Sequence, residues 1–580
     1  MKPTTNLKTK RENITMRRSI KLAVSMVGLA IGMVAATAQA AVNPPINVVV
    51  PPLAFEDTHI TVSWQKPSTA TGIVGYNVYV NGTKKGSVST ITWASGLTNN
   101  QLYYDVTGLT ANTSYAIKVR SYDSSGVESA DSSSVTQVTT AAPAIVYVHS
   151  YASQSGTQTS QVQAAINACA NNGKVVISSG ETFTSGALYL KANCTYQIDG
   201  TLKGSDAAAD YAWGNNRFPM YGTGGSYGSV AYPTNYKSLL NTCAASSNAC
   251  TGVNNIRLTG AGTIAGSSGA SSDSKNSGYY LSTLGINERT AQSAVDTARG
   301  DLISITGSSG VYISKLKFTL PAMHMLFIAR SSNVTIANIN ANSFPSGASN
   351  GIHNGDGVDL AGVSTGYVFG STFDNGDDCI NMNAGTNAPG VAEAKGINQV
   401  HIFNNYTLHG HGGAVFGSFT AGWMKGVWVD ENMFSGTQIG LRFKTGTNRG
   451  GGADGIYATD NKVNNVTSAA IEVEGSYPDS TGMVSAGVGY FKNVNITNLT
   501  GAVKSGAYAI SISGNSSPKH TAFTFKNVNI TGSGGKGVSI YQTTASTFNN
   551  VTAAAGSFVY ESASLSASAF TSCSPTPTAK

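Results

Sequence analysis

Phe491-Lys492-Asn493-Val494-Asn495-Ile496-Thr497 recurs letter for letter at Phe525-Lys526-Asn527-Val528-Asn529-Ile530-Thr531. Within it Val and Ile alternate with Asn and Thr, the period-two pattern of a strand with one buried face. Its repetition 34 residues on points to a stacked unit. Further out, strand starts recur at Val311, Val334, Val368, Val400, Val427, Ile456, Val494 and Val528, at intervals of 23, 34, 32, 27, 29, 38 and 34. Irregular intervals with regular strand chemistry predict a right-handed parallel β-helix, whose coils share short strands and differ in loop length. Asn and Gly are expected at the corners, because both tolerate left-handed backbone. A β-propeller of similar period is disfavoured, since one interval holds about three short strands and no blade motif repeats.

In a solenoid, residues far apart in sequence come together on one wall, because successive strands stack at ~4.8 Å. Four short polar bursts fall in phase: Asn354-Gly355-Asp356, Gly376-Asp377-Asp378, Gly410-His411-Gly412 and Arg442-Phe443-Lys444. Asp377 and Asp378 lie nine and ten residues after Val368, and His411 lies eleven after Val400. Asp356, twelve before Val368, ends the previous coil and is expected to stack above Asp377. Adjacent aspartates in a regular strand point to opposite faces, so the backbone at Gly376 must leave strand geometry for both to face one cleft. Crowded carboxylates raise the pKa of at least one of them, letting one hold a proton while a partner acts as base. Arg442 and Lys444 are placed to bind an anion, so the cleft expects a substrate bearing carboxylate or sulfate. Cys379 reads as a small buried thiol packed under the site.

Charged residues make up only 11% of the 580 and Gly numbers 66, a balance for a turn-rich, all-β protein. Residues 1–40 read as a cleaved signal peptide: Arg17, Arg18 and Lys21, an apolar run from Leu22, and Ala38-Gln39-Ala40 as the cleavage site. They hold seven of the 36 Lys+Arg and one of the 29 Asp+Glu, leaving 29 against 28. The mature chain is nearly neutral, which gives no reason to expect nucleic acid. A secreted protein with no membrane span after cleavage is expected, and a monomer. Six cysteines then permit disulfides, with Cys169–Cys194 and Cys243–Cys250 as candidates.

Residues 41–142 show short alternating strands, among them Ile60–Trp64, Tyr76–Val80 and Tyr115–Arg120, and resemble a fibronectin type III β-sandwich with Trp64 as its buried aromatic. A spacer or positioning role is expected for it, ahead of carbohydrate binding through aromatics such as Trp93. Residues 143–150 read as a linker and 151–580 as the β-helix, its first coil capped by an amphipathic helix from Gln161 to Ala170.

The four bursts resemble the signature of the polygalacturonases of glycoside hydrolase family 28, Asn-x-Asp, Gly-Asp-Asp, Gly-His-Gly and Arg-x-Lys in that order. Every motif residue matches, and the resemblance runs from about Ser150 to the C-terminus. With the fibronectin-like module, the chain is similar to bacterial exo-acting members that release digalacturonate from the non-reducing end of pectate. The resemblance implies hydrolysis of the α-1,4-galacturonosidic bonds of polygalacturonate with inversion. Asp377 would be the general acid, Asp356 and Asp378 would activate water, and His411 would assist the acid. Arg442 and Lys444 would bind the galacturonate carboxylate, Asn354 would orient the neighbouring Asp, and Tyr477 is the candidate for a further substrate-binding tyrosine. No cofactor and no metal are implied. The rivals are an endo-acting polygalacturonase, a Ca²⁺-dependent pectate lyase using the same acids as ligands, and a non-catalytic adhesin. Carboxyl groups on adjacent coils would lie near ~5 Å, the spacing of retaining enzymes, whereas inverting enzymes use ~6.5–9.5 Å. Loop-rich stretches such as Ala207–Thr242 and Ala265–Arg299 are expected to close one end of an exo-acting cleft.

Overall fold

Val311, Val334, Gly366, Val400, Val427, Ile456, Val494 and Phe523 stack in one column, each paired in register with the next. The computed structural model describes residues 42–580 apart from 154, 212, 215–234, 244–251, 267–298, 345–350, 480–482 and 533. Two expected members of the column are displaced. Val368 sits two residues further along, over Ile336, because the column position in that coil is Gly366. Val528 pairs with Val551 on the next face of the coil, while Phe523 takes the place over Val494. The identical heptapeptides therefore do not stack on each other: Ile496 lies over Phe525. A side-chain period of two tolerates the two-residue shift at Gly366, since the same parity stays inside.

The result is a right-handed parallel β-helix. Among the described residues, coils contribute one strand each to a 13-stranded parallel wall and two each to a 25-stranded parallel sheet. Inside, like residues stack on like: Phe416 on Phe443 at 4.4 Å, Phe525 on Phe548 at 4.7 Å. A ladder of buried amides runs Asn405 to Asn432 to Asn461, each Nδ2 donating to the next Oδ1 at 3.0 Å. At the corners Asn338, Asn404 and Asn498 adopt φ between 54° and 56°, as the composition suggested. The helix Thr159–Ala168 buries Gln161, Val162, Ala165 and Ile166 over the first coil, and Cys169 is bonded to Cys194. The partner proposed for Cys243, Cys250, lies outside the described residues, as does the leader sequence.

The N-terminal module is a sandwich of a three-stranded and a four-stranded antiparallel sheet with Trp64 and Tyr76 in its core. That core continues without a break into Tyr312, Ala337, Phe369 and Phe403 of the β-helix. The junction is also tied by polar contacts. The Glu431 carboxylate accepts from Lys66 Nζ (2.7 Å), Asn99 Nδ2, Asn100 Nδ2 and Asn100 N (3.0 Å each). Two expectations change here. Ile145–Tyr147, read as linker, is the first strand of the large sheet and pairs with Gly173–Ile177, because its Ile-Val-Tyr run covers an otherwise open edge. Trp93 is not a free aromatic: it lies flat on Tyr406 of the β-helix at 5.4 Å and donates to Asn99 Oδ1.

Candidate active site

Three of the polar bursts lie where the chain enters successive strands of the 13-stranded wall, Val358–Ala361, Ile380–Asn383 and Gly412–Phe416, and the fourth, Arg442-Phe443-Lys444, ends the next strand, Ile439–Lys444. Register decides which acids meet. Val358 pairs with Ile380 and Gly357 N donates to Asp378 O, so Asp356 stacks over Asp378 and not, as expected, over Asp377. Residues 376 and 377 form a bend outside the strand, as two adjacent acids on one cleft require. Gly376 makes the bend possible: its N donates to Ser343 Oγ at 2.9 Å, and a Cβ there would lie 2.2 Å from Ile352 O. Gly410, at φ +140°, does the same for His411, since its absent Cβ would be 2.6 Å from Asp377 O.

Oxygens of Asp356, Asp377 and Asp378 lie within 4.8 Å of one another, and all three residues are buried. Their surroundings differ. Asp377 Oδ1 is 2.8 Å from His411 Nδ1 and accepts from the Asp378 N–H at 2.9 Å. Asp378 Oδ2 accepts from Lys444 Nζ at 2.7 Å, with Arg442 Nη1 at 3.8 Å from its other oxygen. Asp356 Oδ1 has no hydrogen-bond partner.

Protonation follows from this. Burial, with the charges of Asp359, Asp377 and Asp378 behind it, pushes the Asp356 carboxyl well above the usual range against the pull of Lys444. Burial would lift Asp377 too, but the hydrogen bond and charge of His411, with Lys444 and His353, hold it below the usual range. The bond to Asp377 in turn raises His411. Two carboxyl groups within 4.8 Å thus rest in opposite states. A proton sits on Asp356, while Asp377 and His411 share another that rests mainly on the imidazole. Lys444 stays charged because Asp378 outweighs its burial.

Tyr477 closes the group, its ring 5.8 Å from the Arg442 guanidinium and 5.3 Å from Lys444 Nζ. Lys444 is only 7% exposed, so its ammonium is spent on Asp378. Arg442, half-buried between Asp378 and Glu472, is the more accessible cation. Asn354 turns its side-chain oxygen to Arg299 Nη2 at 2.8 Å, and Arg299 also donates to His353 O. Cys379 is a buried free thiol donating to His409 O, as expected of a packing residue.

Sequence reading missed Ser343 and Asn375, which brace the bend, and Arg299, His324, Asp301 and Asp359 behind the acids. Only Asp359 carried a signal, a charged residue inside the apolar run Val358–Ala361. Two buried trios, Asp356/Asp377/Asp378 and His324/Asp356/Asp359, are compact enough for a cation. In the first the Lys444 ammonium already supplies the positive charge, and in the second the protons held by burial reduce the negative charge that would draw one.

The family model described as "Glycosyl hydrolases family 28" matches residues 169–555, and "Fibronectin type III domain" matches 43–139. The exo-poly-alpha-D-galacturonosidase of Dickeya chrysanthemi is 31% identical over 575 residues, covering 89% of this chain and 91% of its own. A polygalacturonase of Saccharomyces cerevisiae is 31% identical over 36% of this chain and 55% of its own. Among solved structures, the family 28 exopolygalacturonase of Yersinia enterocolitica superposes with a TM-score of 0.74 at 23% identity. That match covers 93% of this chain and 99% of the other, a likeness of fold.

Proposed function

The chain belongs to the glycosyl hydrolases family 28, and from that membership we propose that it hydrolyses the galacturonosidic bonds of polygalacturonate, working from the non-reducing end and releasing digalacturonate. The observation that carries the proposal is the buried cluster of three carboxyl groups flanked by His411 and Arg442. The exo assignment draws on the Dickeya relative, which matches along nearly its whole length. The loops expected to close the cleft lie largely outside the described residues. Export from the cytoplasm belongs to the same proposal. Among the described residues no helix is long and apolar enough to cross a membrane.

The roles follow from the protonation states. His411 and Asp377 together hold one proton. A substrate carboxylate entering beside Arg442 and Tyr477 would offset the positive field that keeps Asp377 ionised. The proton then passes from the imidazole to Asp377, and from Asp377 to the glycosidic oxygen as its bond to the anomeric carbon breaks. Asp356 and Asp378 stand close enough to hold one water between them, and that pair takes the proton as the water oxygen attacks the anomeric carbon. Lys444 holds Asp378 in place for this. Asn354, tied to Arg299, positions the turn that carries Asp356.

The spacing of the acids favours a second reading of the stereochemistry. Separations within 4.8 Å are closer to those of retaining enzymes than to the ~6.5–9.5 Å of inverting ones. Proton NMR of the first-formed product decides: a new β-anomer means inversion, an α-anomer means retention. The early product profile on polygalacturonate tests the activity itself. Digalacturonate alone is expected, a ladder of oligomers would make the enzyme endo-acting, and an unsaturated product absorbing in the ultraviolet would overturn hydrolysis.

A further inference from the structure

Asp359 is the one acid in the wall strand Val358–Ala361, is 1% exposed, and stands three coils before Arg442 on the same face of the wall. Its Oδ1 accepts from Asn381 Nδ2 at 3.0 Å and from Asn383 Nδ2 at 3.4 Å. Its Oδ2 has no hydrogen-bond partner and lies 4.0 Å from His324 Nε2. The other nitrogen of His324 is 2.8 Å from Asp301 Oδ1, and its ring stacks on Phe327 at 5.5 Å. One polar atom each from His324, Asp356 and Asp359 falls within 4.8 Å of the others. A chain of titratable groups therefore runs Asp301, His324, Asp359, Asp356 along the wall, and the mechanism above uses only its last member. A buried carboxyl oxygen left without a partner is costly unless its group holds or exchanges a proton.

We infer that Asp359, coupled through His324 to Asp301, is a positioning residue for Asp356 that sets the protonation state of the water-activating pair. The proton that leaves the Asp356 carboxyl is held by the Asp359–His324 pair; after the bond is cut the water's proton passes to solvent, the His411–Asp377 pair is recharged from solvent, and the held proton returns to Asp356. This rests on Asp356 belonging to that pair. Burial pushes the Asp359 carboxyl up to about 7 against His324, with Asp378 and Asp301 adding to the rise. After burial, Asp359 is the foremost charge acting on Asp356, ahead of Asp377 and Asp378. The groups facing the two acids are His324 from the preceding coil, Asp301 from the coil before it, and Asp377, Asp378 and Lys444 from the coils that follow. Arg299 is turned to Asn354, and Arg330 to Glu393.

The test is the pH dependence of kcat on polygalacturonate for the full chain, its D359N and H324Q variants and the double variant. Removing the Asp359 charge lets Asp356 ionise at lower pH. Removing the His324 imidazole, which pulls the Asp359 carboxyl down, leaves Asp359 neutral over a wider range, with the same effect. Each single variant is expected to move the acid limb to lower pH by roughly half a unit or more, and the double variant to move it no further. An unmoved limb, a shift to higher pH, or single shifts that simply add would overturn the inference, since a merely structural residue lowers kcat without moving the limb. If D359N does not fold, H324Q carries the same reading. A D356N variant with full activity would instead overturn the assignment of Asp356 itself.

Discussion

Asp377 and Asp378 are neighbours in sequence with different partners, His411 for one and Lys444 for the other. That difference is what makes them separable by mutation. Asp377→Asn removes the proposed proton donor and should cut kcat by about 10²–10⁴-fold with KM nearly unchanged, checked by steady-state kinetics alongside a far-UV spectrum to confirm the fold. Lys444→Ala breaks an ion pair whose side chains are 9% and 2% exposed. It should cost about 3–5 kcal/mol in stability, because Asp378 is left buried without its counter-charge, and a denaturant titration measures it. The pH limit on the alkaline side belongs to the dyad. His411 holds its proton below a raised pKa, so kcat should fall as pH rises through that value and the acid is lost. A profile flat on the alkaline side would show that His411 does not store the proton.

At the scale of single elements, the bends ahead of the wall strands are what bring the acids together. Gly410 is the sharpest instance, with φ +140° and no room for a Cβ between Asp377 O and Cys379 Sγ. Gly410→Ala should strain this turn by about 1–3 kcal/mol and displace His411, lowering activity more than stability. The comparison to make is kcat against melting temperature in the same preparation. The bend itself was legible from two adjacent acids after a glycine. Its braces, Ser343 and Asn375, were not, because a single Ser or Asn in an Asn-rich repeat looks like any other corner residue. Register was legible to within two residues at Gly366, where a glycine in a column of Val and Ile shifted the apparent strand start without changing which side chains face inward, and missed by five at Val528, whose column place Phe523 takes.

At the scale of the whole molecule, the core of the sandwich takes in Tyr312, Ala337, Phe369 and Phe403 of the β-helix, whose own interior is a separate core, and the buried acid Glu431 ties the junction. Tyr312, Phe369 and Phe403 would be bared by removing residues 43–139, so the truncated chain should aggregate, as size-exclusion chromatography would show. Asp430, near the same junction, is pushed up to about 8 by burial, with Asp460 and Glu431 adding to it against Lys66. A carboxyl raised in the folded state stabilises fully below its unfolded value of ~3.9, and that contribution is lost as pH rises toward the folded value. Melting temperature should therefore decline between about pH 4 and pH 8, and Asp430→Asn should flatten the decline. Equal slopes in the two proteins would refute this role for Asp430.

Sequence alone determined the repeat, the all-β class, the sandwich ahead of it and the set of polar residues at the cleft. It could do so because strand alternation and corner residues are local properties, written into neighbouring positions. Tertiary structure decided the rest. It showed that Asp356 lies over Asp378, that Lys444 is committed to an acid, that Trp93 belongs to a domain junction, and that Asp359, His324 and Asp301 form a chain leading to Asp356. Each of these depends on which coil stacks on which and at what register, and on how far water is excluded between them, and those quantities arise only once distant segments are packed together.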